Sequence, residues 1–229
     1  MVKKGLVVVG LVIMMMVSLI SPAFAASPAV HNVTIIVNSP YVADAQVYVA
    51  GDFNGWNATA TPLSPYGYSY SGYSGQWTVT IPMTQGKHQF KFSLGTTNTF
   101  EKGNSFEEIS NRVIDVGTND MNTTQTVANY NGVVNLEVSV PSDTLTKGYR
   151  VFVASSNKAW SATSYMMFPK DGSNNVWYTK ALVKSGTTIQ YKYTVGTWSS
   201  VEKTLSGKDV ANRNASLSIV KKDTVAKWN

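Results

Sequence analysis

From about residue 30 onward, the apolar positions of this chain recur with a period of two. Val33, Ile35 and Val37 alternate with Thr34, Ile36 and Asn38, and Trp77, Val79 and Ile81 alternate with Thr78 and Thr80. In a third run, His88, Phe90, Phe92 and Leu94 share one face while Gln89, Lys91 and Ser93 occupy the other. Alternation of this kind marks a strand with one buried face. The runs are short and separated by clusters of Gly, Asn, Ser and Pro, which predicts antiparallel sandwiches and no amphipathic helix. The span from Ser64 to Gly75, with Tyr66, Tyr68, Tyr70 and Tyr73 among glycines and serines, reads as an exposed, mobile loop.

One run repeats. Val47-Tyr48-Val49-Ala50-Gly51-Asp52-Phe53-Asn54-Gly55-Trp56 is an alternating strand that enters a tight turn and ends on tryptophan. Its turn is built from Asp, Asn and Gly, the residues that take left-handed or side-chain-capped geometry most readily. Val151-Phe152-Val153-Ala154-Ser155-Ser156-Asn157-Lys158-Ala159-Trp160 is a degraded copy. The rest follows in the same order. Trp77 is matched by Trp177, Phe90-Lys91-Phe92 by Tyr191-Lys192-Tyr193, Glu101-Lys102 by Glu202-Lys203, and Asn111-Arg112 by Asn212-Arg213. The expected architecture is all-β: two tandem immunoglobulin-like antiparallel β-sandwiches, at 26–131 and 132–229, with the boundary at the Asn131-Gly132 turn.

The N-terminus carries a different signal. Met1-Val2-Lys3-Lys4, the apolar run Gly5 to Ile20 and the ending Ser21-Pro22-Ala23-Phe24-Ala25 read as a signal peptide at 1–25, cleaved after Ala25. The alternative is a retained anchor, since the run approaches the roughly 20 residues that span a bilayer. Pro22 and the small residues favour cleavage, so a secreted or cell-surface location and no membrane association after processing are expected. The formal charge is +6, and loss of Lys3 and Lys4 with the leader leaves +4 with no basic run, which argues against nucleic acid as a partner. With 0 cysteines, disulfides, thiol chemistry and Cys-ligated metal are excluded, and 2 distant histidines make a His-rich metal site a poor expectation. No cofactor is predicted. Charged residues are 14% of the chain, so the surface suits a neutral polar ligand such as a glycan.

No catalytic constellation stands out: there is no Gly-x-Ser-x-Gly elbow and no phosphate-cradling loop. Asp52, Glu101, Glu107, Glu108, Asp115 and Glu202 could supply a carboxylate pair for glycoside hydrolysis, but Asp52 becomes Ser156 in the second copy. A non-enzymatic protein is expected. The positive signal is aromatic, because tryptophan stacks on the apolar face of a sugar ring while nearby amides and ammonium groups bond its hydroxyls. Trp56 and Trp160 follow turns, and Lys91 and Lys192 point away from the predicted core. The residues alone leave Trp56 and Trp160 open between a binding platform and a cap on the sandwich edge. Trp77 shares a face with Val79 and Ile81, so Trp77 and its match Trp177 read as core.

The ordered set Gly51-Asp52-Phe53-Asn54-Gly55-Trp56, Trp77, Phe90-Lys91-Phe92, Glu101-Lys102-Gly103 and Asn111-Arg112 resembles the starch-binding domains of carbohydrate-binding module family 20. The turn also resembles the related glycogen-binding modules of family 48. The resemblance extends over both halves. It implies a starch-binding sandwich recognising α-1,4-glucans, with starch or a glycogen-type polysaccharide as partner and a separate amylolytic enzyme as a possible companion. By the same resemblance the principal site is formed by Trp56, Lys91 and Asn111 in the first half, and by Trp160, Lys192 and Asn212 in the second. A second site includes Trp77 and Trp177. Where the family has a further platform tryptophan before the Glu, this chain has Phe100, which can still stack, and Val201, which cannot; Trp198 stands three residues earlier as a substitute. Loss of the Asp-Phe-Asn-Gly turn makes the second half the weaker expected binder.

Overall fold

The structure, a computed structural model, describes residues 27–68, 74–170, 172–183 and 188–229. Residues 1–25, read from the sequence as a signal peptide, and Tyr70 and Tyr73 lie outside the described residues. Among the described residues strand geometry dominates, broken by four single-turn 3₁₀ segments. The first half holds β1 (Val30–Pro40), β2 (Tyr48–Gly51), β3 (Ser64–Tyr68), β4 (Ser74–Thr84), β5 (Gly86–Ser93), β6 (Glu101–Lys102), β7 (Arg112–Val116), β8 (Met121–Thr126) and β9 (Asn129–Tyr130). The second holds β10 (Val133–Ser139), β11 (Phe152–Ser155), β12 (Tyr165–Met166), β13 (Phe168–Pro169), β14 (Val176–Leu182), β15 (Thr188–Thr194), β16 (Glu202–Lys203), β17 (Arg213–Ser216), β18 (Val220–Thr224) and β19 (Lys227–Trp228).

Each half has two facing sheets and a short ribbon. The first sheet runs β3-β4-β1-β8 and its facing sheet β2-β5-β7, with ribbon β6-β9; the second half repeats this as β13-β14-β10-β18, β12-β11-β15-β17 and β16-β19. The all-β, sandwich-like fold is therefore as expected. Among the described residues, the paired strands run antiparallel apart from β1 with β8 and β10 with β18, which are parallel, as is the isolated bridge between Ala43 and Ala181. Alternation sets the core: Val33, Ile35 and Val37 of β1 face Phe90 and Phe92 of β5 across the first sandwich, and Leu136 and Val138 face Tyr191 and Tyr193 in the second.

The span read as a mobile loop differs. Ser64–Tyr68 pairs with β4, with a register shift between Pro65 and Gly67. Proline is tolerated there because β3 is an edge strand whose missing N–H need not serve a second neighbour. In the second half Phe168–Pro169 occupies the same place, with Pro169 opposite Trp177 as Pro65 is opposite Trp77.

The halves meet without an intervening linker. Gly132 takes φ 72° between β9 and β10. Val133 and Leu182 pack into the core of the first half, while Ala43 packs into that of the second. Ala43 N–H donates to the Lys180 carbonyl (2.9 Å), and Asp44 pairs with Lys158 at 2.7 Å.

Candidate functional site

The two turns that follow β2 and β11 have the same backbone. Asp52–Asn54 and Ser156–Lys158 each make one 3₁₀ turn, and Gly55 (φ 64°) and Ala159 (φ 50°) close it in the left-handed region. Trp56 (φ 61°) and Trp160 (φ 58°) follow in the same region, each donating its N–H to the residue five back, Gly51 and Ser155. The expectation that the second half loses this turn is corrected: only its residues change. In the first half Asp52 Oδ2 accepts the Gln89 N–H at 2.8 Å, and in the second Ser156 Oγ accepts the Gln190 N–H at 3.1 Å. The Phe53 ring lies so close over Gly51 that a Cβ there would meet it at 2.5 Å. The second half solves this by a double change, Ser155 for Gly51 and Asn157 for Phe53, with Ser155 Oγ donating to Asn157 Oδ1 at 2.6 Å. A bulky residue at positive φ is a strained choice. Its presence at both tryptophans, each half-buried, is the unusual feature of these turns.

Beside each turn runs a polar strip. Gln89 and Lys91 point outward from β5, and Asn111, just before β7, donates to Gln89 Oε1 at 2.9 Å. Gln190, Lys192 and Asn212 repeat it, with Asn212 donating at 3.4 Å. The Lys102 ammonium bonds to Glu108 and holds that carboxyl below the usual carboxylate range, with Lys91 adding to the effect. Lys203 does the same to Asp209 at 2.6 Å, with help from Lys192. The two glutamines were missed in the sequence. The signal that would have found them is the recurrence of Gln-x-Lys at matched outward positions.

The second half has a feature the first lacks. Trp198 is 45% exposed, its Nε1–H donates to the Trp160 carbonyl at 3.0 Å, and the two rings lie 6.3 Å apart, inclined at 49°. Val201 is buried, as its failure to serve as a platform requires, and Phe100 at the matching place is half-buried. Two expected residues fall elsewhere. Trp177 is fully buried in the second core, so no ring face is open to a ligand, which corrects the second-site reading and agrees with the core reading. Trp77 packs against the first core and is half-buried. A cleft of about 690 Å³ at the junction, lined in part by Tyr48, Asn98 and Asn131, includes none of the expected residues. A ring stacked on an exposed indole needs a flat face rather than a cavity.

Glu101 and Arg112 serve structure. Glu101 is fully buried, accepts the Phe92 N–H at 3.0 Å and takes a forked bond from Arg112, whose guanidinium lies 5.4 Å from the Phe92 ring centre. Glu202, Arg213 and Tyr193 repeat the arrangement. Among the described residues no group of three His, Cys, Asp or Glu is placed to hold a metal, and no helix is long and apolar enough to cross a membrane.

No family model matches the chain. Over 80 residues, 35% of its length, it is 31% identical to an alpha-amylase of Niallia circulans, and that match spans 6% of the amylase. Among solved structures it is similar to a glycoside hydrolase family 15 glucoamylase from Hypocrea jecorina, with TM-score 0.33 and 18% identity over 42% of this chain and 17% of that one. It is also similar to a structure of family 41 carbohydrate-binding modules from streptococcal virulence factors, described as recognising alpha-glucan, with TM-score 0.26 and 8% identity over 85% of this chain and 94% of that one. TM-scores of this size do not establish a shared fold.

Proposed function

We propose that this protein is a secreted, non-catalytic carbohydrate-binding protein that holds α-1,4-glucans on two similar faces, one in each tandem half. The first face is Trp56 with Lys91, Asn111 and Phe100, and the second is Trp160 and Trp198 with Lys192 and Asn212. The observation that carries the reading is the left-handed backbone of Trp56 and Trp160. A tryptophan needed only for packing goes inside, as Trp177 does, whereas these two are held half-exposed at a conformational cost beside a strip of amides and a lysine. Short sequence similarity to an alpha-amylase supports the choice of an amylose-type ligand. The non-catalytic reading is supported by the commitments of the nearby carboxylates: Asp52 is tied to His88, Glu101 to Arg112, Glu108 to Lys102, and Asp209 to Lys203.

The test is affinity electrophoresis in soluble starch with Trp56→Ala, the Trp160→Ala/Trp198→Ala pair and all three together. Each face contributes, so the triple variant should migrate as in starch-free gel while each site loses far less stability than the about 3–5 kcal/mol of an emptied core tryptophan site. Wild-type mobility unaffected by starch would sink the reading and leave the sandwich as a structural or adhesion module. On granular starch, two sites joined without a long linker raise avidity by about 10²–10⁴ over one. A granule isotherm equal for wild type and the Trp160→Ala/Trp198→Ala pair would reduce the second half to a spacer.

A further inference from the structure

The two faces differ in how their turn is fastened to the strand below. Strand register makes the comparison position by position. Gly51 is opposite Phe90 and Ser155 is opposite Tyr191, so Asp52 corresponds to Ser156, Gln89 to Gln190, and His88 to Ile189. In the second half a neutral hydroxyl meets one backbone N–H, and Ile189 is buried. In the first half the Asp52 carboxylate takes that N–H on one oxygen and meets His88 Nδ1 on the other at 2.8 Å.

The other ring nitrogen of His88 also faces oxygen. Nε2 lies 2.8 Å from the Thr84 carbonyl, which can only accept, and 3.3 Å from the Thr84 hydroxyl. A neutral imidazole has one N–H and cannot donate to both Asp52 and the Thr84 carbonyl; the doubly protonated ring can. The groups facing His88 are Asp52 from the turn, Thr84 from the end of β4 and the apolar Ile114 across on β7. Lys87 and Asp115, one position along, are opposite each other and alternate to the other face of the sheet. Burial pulls the His88 pKa down, but the Thr84 carbonyl and the Asp52 carboxylate outweigh it and hold it above its ordinary value.

We propose that His88 is a positioning residue for Trp56. As an imidazolium it clamps Asp52, the first residue of the turn, and so fixes the turn that presents the indole. The first face is then presented best at mildly acid pH and loosens as His88 loses its proton, while the second face, fastened by the neutral Ser156 hydroxyl and carrying Ile189 where the first has His88, is insensitive to pH. The inference rests on Trp56 being a glucan platform, and it adds a control that only one of the two faces carries.

The experiment is a pH titration of the intact ¹⁵N-labelled chain by NMR from about pH 5 to 9, following assigned indole and amide signals with the His88 ring protons. Trp56 Nε1–H and the Gln89 amide should shift with the midpoint of His88, while Trp160 and Gln190 stay still. His88→Leu, which copies the apolar residue of the second half, and His88→Gln should each flatten the Trp56 response. A Trp56 signal that ignores the His88 titration, or a Trp160 signal that follows it equally, overturns the proposal, as does a His88 that does not titrate in this range. Calorimetry with maltoheptaose on the Trp160→Ala/Trp198→Ala variant adds the functional readout, with affinity falling about fivefold across the same range. Affinity that does not change with pH counts against the proposal. If maltoheptaose fails to bind even at pH 5, the glucan reading of the first face fails, and the NMR titration still decides whether His88 positions Trp56.

Discussion

In the two halves, the half-buried arginines Arg112 and Arg213 are satisfied by different sets of partners. In the first half, Arg112 is held by Glu101, and its Nη1 donates to the neutral Gln125 at 2.8 Å; the neighbouring core residues, Phe90 and Phe92, make no polar demand. In the second, Arg213 is held by Glu202 and by Asp223 at 3.0 Å, and Asp223 also accepts from the hydroxyls of Tyr191 (2.5 Å) and Tyr193 (2.9 Å). Three positions have changed together, Phe, Phe and Gln for Tyr, Tyr and Asp. The physical link is direct, since two buried hydroxyls need an acceptor and a carboxylate beside the arginine supplies one without leaving a lone charge. Burial and the Asp223 charge push both phenols well above their ordinary pKa. The same sandwich is thus held by an apolar core over one charge pair in one half, and by a polar network in the other.

That contrast is broken or sharpened most strongly at Asp223. Asp223→Ala leaves Arg213 and two tyrosine hydroxyls short of an acceptor and should cost about 3–5 kcal/mol, whereas Gln125→Ala removes one neutral acceptor and should cost about 1 kcal/mol. Urea denaturation of both variants measures the difference, and equal losses would show that the two networks are equivalent after all.

A smaller effect separates Thr80 from Lys180, which sit at matched positions opposite Thr34 and Asn135. Thr80 is exposed, but Lys180 is covered by the first half and donates to Asn129 Oδ1 at 2.8 Å. Burial pushes its pKa from 10.5 down to about 8. Between those values the unfolded chain holds a proton that the folded chain has released, so stability rises with pH in that window. Lys180→Met should abolish the rise and stabilise the protein at pH 7 by on the order of 1–3 kcal/mol, less whatever Asn129 loses. Thr80→Lys should fall within about 0.5 kcal/mol of wild type. Melting temperatures from pH 7 to 10 decide it; an unchanged slope in Lys180→Met would place the titration elsewhere.

The smallest effect tests the turns. Gly55 and Ala159 share a left-handed backbone, and a Cβ on Gly55 would meet nothing within 4 Å, so substitution there acts through the backbone alone. Gly55→Ala should cost about 1 kcal/mol and Ala159→Gly should return up to about that amount. Thermal melts of the pair give opposite signs if the turns are equivalent. The same sign in both would mean that Ala159 is not held in the conformation of Gly55.

The period-two pattern was enough to place β1, β4 and β5 and to name their inward residues, because alternation on a strand maps one to one onto two faces. The recurrence of Trp, the aromatic-Lys-aromatic run and Asn-Arg at matched spacing pointed to the lysines and asparagines of the outward strip, but the glutamines beside them went unread. Composition ruled out thiols and disulfides outright. Three matters were decided only by tertiary structure. Trp77 and Trp177 look alike in sequence, yet one is half-buried and the other sealed, since burial depends on what the rest of the fold lays over a face. The second turn survives the loss of Asp, Phe and Gly because the backbone is held by pairing to β15 and by the Ser156 contact with Gln190, 34 residues away, which local propensity cannot register. His88 and Asp52 are 36 residues apart, and Trp160 and Trp198 are 38 apart. Each pair meets because antiparallel registers carry distant residues to the same end of a sheet, a relation that the order of residues contains only after the strands have been paired.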